Sequence, residues 1–347
     1  MNRPHGLSPN PGSHRVKSTY PILTNPMSDP SQKILVTGGA GFIASHLCEA
    51  LLADGAELVV IDDFNDFYDP AIKRANIAGF RDRITLVEGD IRDAALIDSL
   101  FASHAINRVF HFAARAGVRP SIADPRLYLS TNIDGTLNLL EACRLSAVKH
   151  FVFASSSSVY GVNEKVPFAE HDLIQRTISP YAATKLAGEQ LCSNYSHLCG
   201  MRCVCLRFFT VYGPRQRPDL AISKFTRNIM AGEPIERYGD GSTARDYTYV
   251  EDIINGVMAA GRYDASDFEI INLGGSAVNT LTQLISGIER ILDKKAVIHE
   301  LPNQPGDVPI TFADVSKARR LLGYAPATPL QHGLERYIEW VKARHAC

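Results

Sequence analysis

The chain has 347 residues, of which 45% are hydrophobic and 21% charged, and its formal net charge is -1. This length allows one large domain or two coupled ones, with a full hydrophobic core. The small net charge argues against nucleic acid or an anionic membrane as a partner, and no apolar run reaches the roughly 18 residues of a membrane span. A local basic site for a phosphorylated small molecule is left open.

Residues 1–32 are rich in Pro, Ser, Asn and Gly, show no periodicity and lack the apolar core of a signal peptide. We expect them to form a disordered tail, or an over-extended start with Met27 as the alternative initiator. The seven cysteines form no CxxC pair, so neither a metal site nor a disulfide framework is expected. Buried free thiols and a cytoplasmic location are the interpretation that suits them.

Short apolar runs alternate with helical stretches from residue 33 onward. The first run ends at a glycine loop, and residues 42–52 then have the spacing of an amphipathic helix. Such alternation predicts an α/β fold, a doubly wound parallel sheet covered by helices on both faces. The predicted strands lie at 33–37, 58–61, 84–87, 109–112, 151–153 and 203–206.

The regular alternation of predicted strands and helices ends at Gly213, after which Pro and Gly become frequent and the predicted strands and helices are shorter. We expect a smaller substrate domain interleaved with the end of a Rossmann domain. The expected division is 33–210 plus about 244–275 for NAD, and 211–243 plus 276–345 for the substrate.

A glycine loop stands between the first predicted strand and the first helix. Gly38 permits the tight turn, and Gly41 lets the backbone approach a pyrophosphate that faces the helix amino terminus. Asp62 closes the second strand, where its carboxylate can bind the adenosine ribose and repel a 2′-phosphate. These features favour NAD over NADP, although Ala44 replaces the third glycine of the fingerprint.

Tyr181 and Lys185 lie one turn apart on a helix that Ser179 and Pro180 are expected to start. A nearby ammonium lowers the pKa of a phenol from about 10 toward the working range. A run of serines, 155–158, ends the strand before this helix, at the edge of the sheet where ligands bind. The pattern indicates hydride chemistry with NAD.

This combination resembles the extended short-chain dehydrogenase/reductase family, and within it the nucleotide-sugar epimerases. The resemblance covers nearly everything from residue 33 to 341. It implies Ser156, Tyr181 and Lys185 as catalytic residues, Tyr181 being the acid/base. The cofactor contacts that it implies are Gly38, Gly41, Phe42, Ile43, Asp62, Asp63, Asp90, Ile91, Ala113, Ala114, Asn132, Tyr181, Lys185 and Phe208.

The residues beside Ser156 sort reactions within this family. Relatives that eliminate water or carbon dioxide carry acidic residues there, whereas this chain has Ser157 and Ser158. The resemblance therefore implies an isomerase that epimerises C4 of a UDP-sugar by transient oxidation to a 4-keto sugar. NAD then returns the hydride to the opposite face and is not consumed.

Residues 62–69, 113–121 and 207–217 look most like the UDP-glucuronate 4-epimerases. Two hydroxyls and a guanidinium, those of Ser158, Thr210 and Arg217, could hold the sugar carboxylate. Arg245 resembles a diphosphate ligand and Asp307 a nucleotide-ribose ligand, while Gln304 replaces an arginine of the UDP-galactose epimerases. The full expected substrate set is Ser156, Ser157, Ser158, Thr210, Arg217, Tyr238, Arg245 and Asp307.

Three alternatives stay open for the reaction. They are a 4-epimerase of neutral UDP-hexoses or UDP-N-acetylhexosamines, a UDP-glucuronate decarboxylase, and a net dehydrogenase with an exchanging cofactor. A non-catalytic NAD sensor is a further class, but the Tyr–Lys pair is complete. Residues 124–147 and 180–198 are expected to form two long helices, whose family counterparts pair as the four-helix bundle of a homodimer.

Overall fold

A computed structural model describes residues 33–275, 277–302 and 308–345, and the predicted tail at 1–32 lies outside these ranges. The strands formed by the described residues, in chain order, are β1 (Lys33–Thr37), β2 (Glu57–Asp62), β3 (Thr85–Glu88), β4 (Ile106–His111), β5 (His150–Ser156), β6 (Arg202–Phe208), β7 (Thr210–Tyr212), β8 (Ile235–Tyr238), β9 (Ala244–Tyr249), β10 (Phe268–Leu273), β11 (Val278–Thr280), β12 (Ile298–Leu301) and β13 (Ile310–Thr311).

The helices connect these strands and cover both faces of the main sheet. Their bounds are α1 (Phe42–Ala53), α2 (Pro70–Ile77), α3 (Ala94–Ser103), α4 (Val118–Ala123), α5 (Pro125–Leu129), α6 (Gly135–Leu145), α7 (Pro180–Cys199), α8 (Ala221–Ala231), α9 (Val250–Arg262), α10 (Leu281–Leu292), α11 (Ser316–Leu322) and α12 (Leu330–His345).

The main sheet has seven parallel strands in the order β10-β6-β5-β4-β1-β2-β3. This is a doubly wound Rossmann-like sheet, which confirms the predicted fold class and its six predicted strands. The strand order reverses between β1 and β4, and such switch points are where ligands bind.

The central strand shows why the sheet needs helices on both sides. Ile34 and Val36 belong to the core on the face of α1 and α9, whereas Leu35 belongs to the core on the face of α3 and α6. All three side chains are fully buried. An uninterrupted apolar run, without polar alternation, is the pattern of a strand covered on both faces.

A smaller, mixed sheet is built around β9, which pairs with β7, β11 and β13. A separate two-stranded sheet joins β8 to β12. Residues 244–249, expected to belong to the Rossmann domain, form β9 of the smaller sheet. The return to the main sheet begins with α9, which packs on α1, and with β10, which pairs with β6.

The two predicted long helices differ in regularity. α7 is continuous, as expected, and the Ser179 hydroxyl caps its start by accepting a hydrogen bond from the Ala182 N–H at 3.1 Å. The first helix is interrupted by a π-helical turn, Ser130–Asp134, between α5 and α6. Such turns insert one extra residue and often accompany functional sites.

The described cysteines are free, and those at 48, 143, 192, 203 and 205 are buried, as expected, while Cys199 is exposed. Among the described residues there is no helix long and apolar enough to cross a membrane and no cluster of His, Cys, Asp and Glu suited to a metal ion.

Candidate active site

A deep cleft lies at the carboxyl ends of the parallel strands, with a cavity volume of about 810 Å³. Each of the six strands from β1 to β6 ends at a residue that lines the cleft or is followed directly by one: Gly38, Asp62, Gly89, Phe112, Ser156 and Phe208. The smaller sheet contributes Thr210 and Arg245, and β8 contributes Tyr238. One continuous cleft thus contacts both parts of the fold.

The glycine loop closes one end of this cleft. Gly38 has a positive φ of 68°, and a Cβ there would lie 2.8 Å from the Ala113 backbone. Gly41 is the N-cap of α1, and no side chain caps that helix. The amino terminus of α1 therefore faces the cleft beside a loop that only glycine fits, which is the arrangement that binds a pyrophosphate.

Asp62 is buried at the end of β2. Its carboxylate accepts hydrogen bonds from the Ala40 N–H at 3.0 Å and the Phe64 N–H at 2.9 Å. The Lys73 ammonium of α2 lies 3.9 Å from the Asp62 carboxylate. Burial raises the pKa of Asp62 and lowers the pKa of Lys73, and the charge of each residue partly offsets the shift of the other. Sequence reasoning missed Lys73, whose only signal is its position on the helix that follows the acidic segment.

Nearly all predicted cofactor residues line the cleft. Those placed there by the structure are Gly38, Gly41, Phe42, Ile43, Asp62, Asp63, Asp90, Ile91, Ala113, Ala114, Tyr181, Lys185 and Phe208. Asn132 is not among the lining residues, and its part in cofactor binding stays a prediction. Its Oδ1 accepts from the Arg115 N–H at 2.8 Å, and its Nδ2 donates to the Arg115 carbonyl and the Thr184 hydroxyl. Asn132 thus positions the loop after β4, because its polar atoms are already used within the protein.

A second buried network supports the same loop. The Thr37 Oγ1 accepts from the backbone N–H groups of Phe112 and Ala113 at 3.1 and 3.0 Å, and lies 2.7 Å from the His111 Nδ1. The other His111 nitrogen lies 2.9 Å from the Thr136 hydroxyl. Burial lowers the pKa of His111 to about 3, so the ring is neutral at physiological pH and serves as a fixed bridge.

Tyr181 and Lys185 lie on one face of α7 and line the cleft with Ser156 of β5. The Ser156 hydroxyl donates to the Ser158 hydroxyl at 3.0 Å, and Ser156 also lowers the pKa of the Tyr181 phenol. The Lys185 ammonium donates to the Ala154 carbonyl at 2.7 Å, one strand position from the serines. The predicted catalytic residues are therefore brought together by β5 and α7.

The electrostatics of Tyr181 differ from the sequence-based expectation. Burial raises its pKa, whereas the hydrogen bond with Ser156 and the charge of Arg217 lower it. Burial also lowers the pKa of Lys185, to about 8. Arg217, rather than Lys185, is the cation that acts on the phenol in this structure, since the Lys185 ammonium is directed to the backbone of β5.

The predicted substrate residues are only partly brought together. Ser156, Thr210, Arg217, Tyr238 and Arg245 line the cleft. Ser157 and Ser158 are not among the lining residues, because they form the short 3-10 turn that follows β5 and Ser158 bonds back to Ser156. Asp307 and Gln304 lie outside the described residues.

Several lining residues were not predicted. Arg119 of α4 lies over the Tyr238 ring at 4.9 Å, across the cleft. The Arg217 guanidinium lies 5.2 Å over the Phe67 ring and forms a bidentate pair with Asp219. Asp219 is two residues from Arg217, whereas Phe67 reaches the guanidinium only because the loops after β2 and β7 meet.

A buried ion pair lies behind the catalytic residues. The Glu189 carboxylate accepts from Arg207 at 2.9 and 2.7 Å and from the Ser155 hydroxyl at 2.6 Å. Burial lowers the pKa of Arg207, but the hydrogen bonds and charge of Glu189 outweigh it and raise the pKa above its usual value. The pair connects α7, β5 and β6, so it fixes Tyr181 and Lys185 relative to Ser156.

Comparison with known proteins places the chain among sugar-nucleotide enzymes. The NAD dependent epimerase/dehydratase family matches residues 34–274. UDP-glucuronate 4-epimerase 3 of Arabidopsis thaliana is 44% identical over 326 residues, covering 88% of this chain and 76% of the relative.

Solved structures agree with this placement. The UDP-glucuronic acid 4-epimerase of Bacillus cereus, solved with UDP-glucuronic acid and NAD, is 40% identical with a TM-score of 0.83 over 90% of this chain and 100% of that one. The Thermotoga maritima UDP-glucose 4-epimerase, solved with UDP-glucose, is 32% identical with the same TM-score and the same coverage.

Proposed function

This chain belongs to the NAD dependent epimerase/dehydratase family, and on that premise we propose that it interconverts UDP-glucuronate and UDP-galacturonate by epimerisation at C4. The observation that carries the proposal is that Ser156, Tyr181 and Arg217 line one cleft, where the Arg217 charge acts on the Tyr181 phenol. The acid/base group thus stands near a guanidinium suited to an acidic sugar.

The residues of the cleft fit NAD. The uncapped amino terminus of α1 and the Gly38–Gly41 loop suit the pyrophosphate, and the buried Asp62 carboxylate suits the adenosine ribose. We propose that Asp90 and Ile91 flank the adenine and that Lys185 holds the nicotinamide ribose. When bound, NAD accepts the hydride from C4 and returns it to the opposite face of the sugar.

The protein supplies the proton and the orientation. Tyr181 takes the proton of the C4 hydroxyl, and Ser156, which lines the cleft with Tyr181, holds the same oxygen. The 4-keto sugar then turns, and Tyr181 returns the proton on the other side. Since Ser157 and Ser158 are not acids, no further group beside Ser156 promotes elimination.

A parallel assay tests the proposed reaction. UDP-glucuronate and UDP-glucose are incubated separately with the purified protein, and the products are read by mass spectrometry and proton NMR. We expect a mass-neutral inversion at C4 of UDP-glucuronate, with no net reduction of NAD. Loss of CO₂ from the acidic sugar, or turnover of UDP-glucose alone, overturns the proposal.

The substrate contacts are part of the proposal. We infer that Thr210 and Arg217 hold the carboxylate, that Arg245 binds the diphosphate and that Tyr238 lies against the nucleotide sugar, since all four line the cleft. The part that Ser157, Ser158 and Asp307 take in binding stays a prediction. So does the division into an NAD domain and a substrate domain.

Arg217→Gln is expected to lower kcat/KM for UDP-glucuronate by about 10- to 100-fold, since a hydrogen bond to a charged group contributes about 1.5–3 kcal/mol. UDP-glucose, if it binds, should be affected much less, and the fraction of decarboxylated product should rise. Arg215→Gln is the matched control, because Arg215 lies in the same loop but pairs with Glu49 outside the cleft lining. Equal losses for both sugars would refute the carboxylate contact.

We also propose that the protein is a homodimer formed by the helices α5, α6 and α7. These helices pack side by side, and the exposed apolar side chains along them include Leu137 at 38%, Leu145 at 69% and Leu198 at 76% exposed. In a dimer, the α5–α6 segment and α7 of each protomer would together form a four-helix bundle that buries these leucines.

We also infer a reducing, cytoplasmic location, which the buried free thiols support.

Leu145→Glu is expected to halve the molar mass in light scattering, because a charge would be buried in the bundle. Leu173→Glu is the control, since Leu173 is 79% exposed and belongs to the loop before α7 rather than to any of these helices. An unchanged mass for Leu145→Glu, or a wild-type mass equal to one chain, contradicts the proposed dimer.

A further inference from the structure

Asp219 forms an ion pair with Arg217, the residue whose guanidinium is proposed to bind the substrate. The Arg217 Nε donates to the Asp219 Oδ1 at 2.9 Å, and Nη2 donates to Oδ2 at 2.7 Å. Both residues line the cleft, and the Arg217 side chain is 18% exposed. The third nitrogen of Arg217, Nη1, forms no hydrogen bond with the residues that the structure describes.

The geometry around Arg217 holds its plane in place. Asp219 fixes one edge of the guanidinium, and the Phe67 ring lies under its face at 5.2 Å. Burial works to raise the pKa of Asp219, but the hydrogen bonds and charge of Arg217 lower it below its usual value. Asp219 is therefore ionised at neutral pH and offsets the charge of Arg217 in the cleft.

A bound acidic sugar would place a second carboxylate on the same guanidinium. Two like charges about 6 Å apart at an effective dielectric constant near 20 repel enough to change an equilibrium constant at least about tenfold. Asp219 thus orients Arg217 and at the same time weakens its attraction for the substrate. A residue kept only to tighten binding would not carry this charge.

We propose that Asp219 weakens the binding of the sugar carboxylate by Arg217, so that the 4-keto sugar can rotate between its oxidation and its reduction. This inference rests on the proposed function. The reaction requires the same ring to present both faces to one hydride position. A carboxylate held by a guanidinium whose charge is not offset by a neighbouring acid would resist that rotation. Asp219 is in this sense a positioning residue, which acts on the substrate through Arg217.

Asp219→Asn removes the charge and keeps one oxygen to accept from Arg217, so the plane of the guanidinium is retained. Dissociation constants for UDP-glucuronate and UDP-glucose are measured by calorimetry with the NAD-loaded protein, in a Tyr181→Phe background that prevents turnover. We expect the constant for UDP-glucuronate to fall about tenfold and that for UDP-glucose to stay within about twofold. With Tyr181 present, KM for UDP-glucuronate and kcat should both fall.

Several outcomes overturn the inference. They are weaker or unchanged binding of UDP-glucuronate by Asp219→Asn, parallel changes for both sugars, and tighter binding with an unchanged or higher kcat. In an Arg217→Gln background, Asp219→Asn should leave the ratio of the two dissociation constants unchanged. If Asp219→Asn changes this ratio as much without Arg217 as with it, Asp219 does not act through Arg217. Asp219→Ser serves the same comparison if the Asn variant unfolds.

The failure of this inference can be separated from failure of the proposed function. If the protein with Asp219 intact does not interconvert UDP-glucuronate and UDP-galacturonate, the proposed function is wrong whatever Asp219 does. If it does so and the variants leave binding and kcat unchanged, only the moderating role of Asp219 is wrong.

Discussion

Replacing Tyr181 by phenylalanine is expected to lower kcat for UDP-glucuronate by about 10³-fold, while UDP-glucuronate still binds. The change removes one oxygen, the one that is proposed to move the C4 hydroxyl proton. General acid–base catalysis contributes about 10²- to 10⁴-fold to a rate. Steady-state kinetics and a calorimetric dissociation constant give the two quantities.

Tyr128→Phe is the matched control for this experiment. The Tyr128 ring packs edge-on against Tyr181 with centroids 6.2 Å apart, but its hydroxyl donates to the Ala116 carbonyl at 3.0 Å. Tyr128 is not among the residues that line the cleft, so its hydroxyl is not placed to meet a substrate. We expect a loss in kcat below about tenfold, because one neutral hydrogen bond contributes about 1 kcal/mol. Similar losses in both variants would mean that Tyr181 acts through packing.

The second large effect is expected on stability. Glu189→Gln should lower the free energy of unfolding by about 3–5 kcal/mol, because it leaves the Arg207 charge buried without an ionic partner. The side chains of Glu189 and Arg207 are 0% and 3% exposed. Urea unfolding of the NAD-free protein, followed by circular dichroism, measures the change. Activity should also fall, because Ser155 loses its carboxylate partner beside Ser156.

Glu88→Gln supplies the comparison for the buried pair. Glu88 forms a bidentate pair with Arg74 at 2.8 and 2.9 Å, but both side chains are more than half exposed. Water and salt screen such pairs, so we expect almost no change in the unfolding free energy. A cost as small for Glu189→Gln as for Glu88→Gln would show that the buried pair contributes little.

Much of the fold follows from local patterns in the sequence. The apolar runs of β1, β2, β5 and β6 are continuous because both faces of the sheet are covered, and the Gly38–Gly41 turn marks where β1 passes into α1. Ser179 and Pro180 mark the start of α7, which places Tyr181 and Lys185 one turn apart. Each of these features depends on residues close together in the chain.

The features that were missed depend on contacts between distant segments. β9 has the pattern of any short strand, and only pairing with β7, β11 and β13 assigns it to the smaller sheet. The side chain of Asn132 is bonded to the Arg115 backbone and to Thr184, which lie far from it in the sequence. Phe67 lies over Arg217 only because the loops after β2 and β7 meet, although the partner of Arg217, Asp219, is two residues away in the same loop.

The source of the hydrogen at C4 of the product tests the central claim most directly. UDP-glucuronate is turned over by the purified protein in D₂O, and the UDP-galacturonate is analysed by proton NMR and mass spectrometry. Because the hydrogen removed from C4 is expected to return to C4, the product should keep hydrogen there and, once returned to H₂O to reverse the exchange at its hydroxyls, show no gain or loss of mass. Deuterium at C4 or C5, or a product that has lost CO₂, would contradict a reversible oxidation at C4.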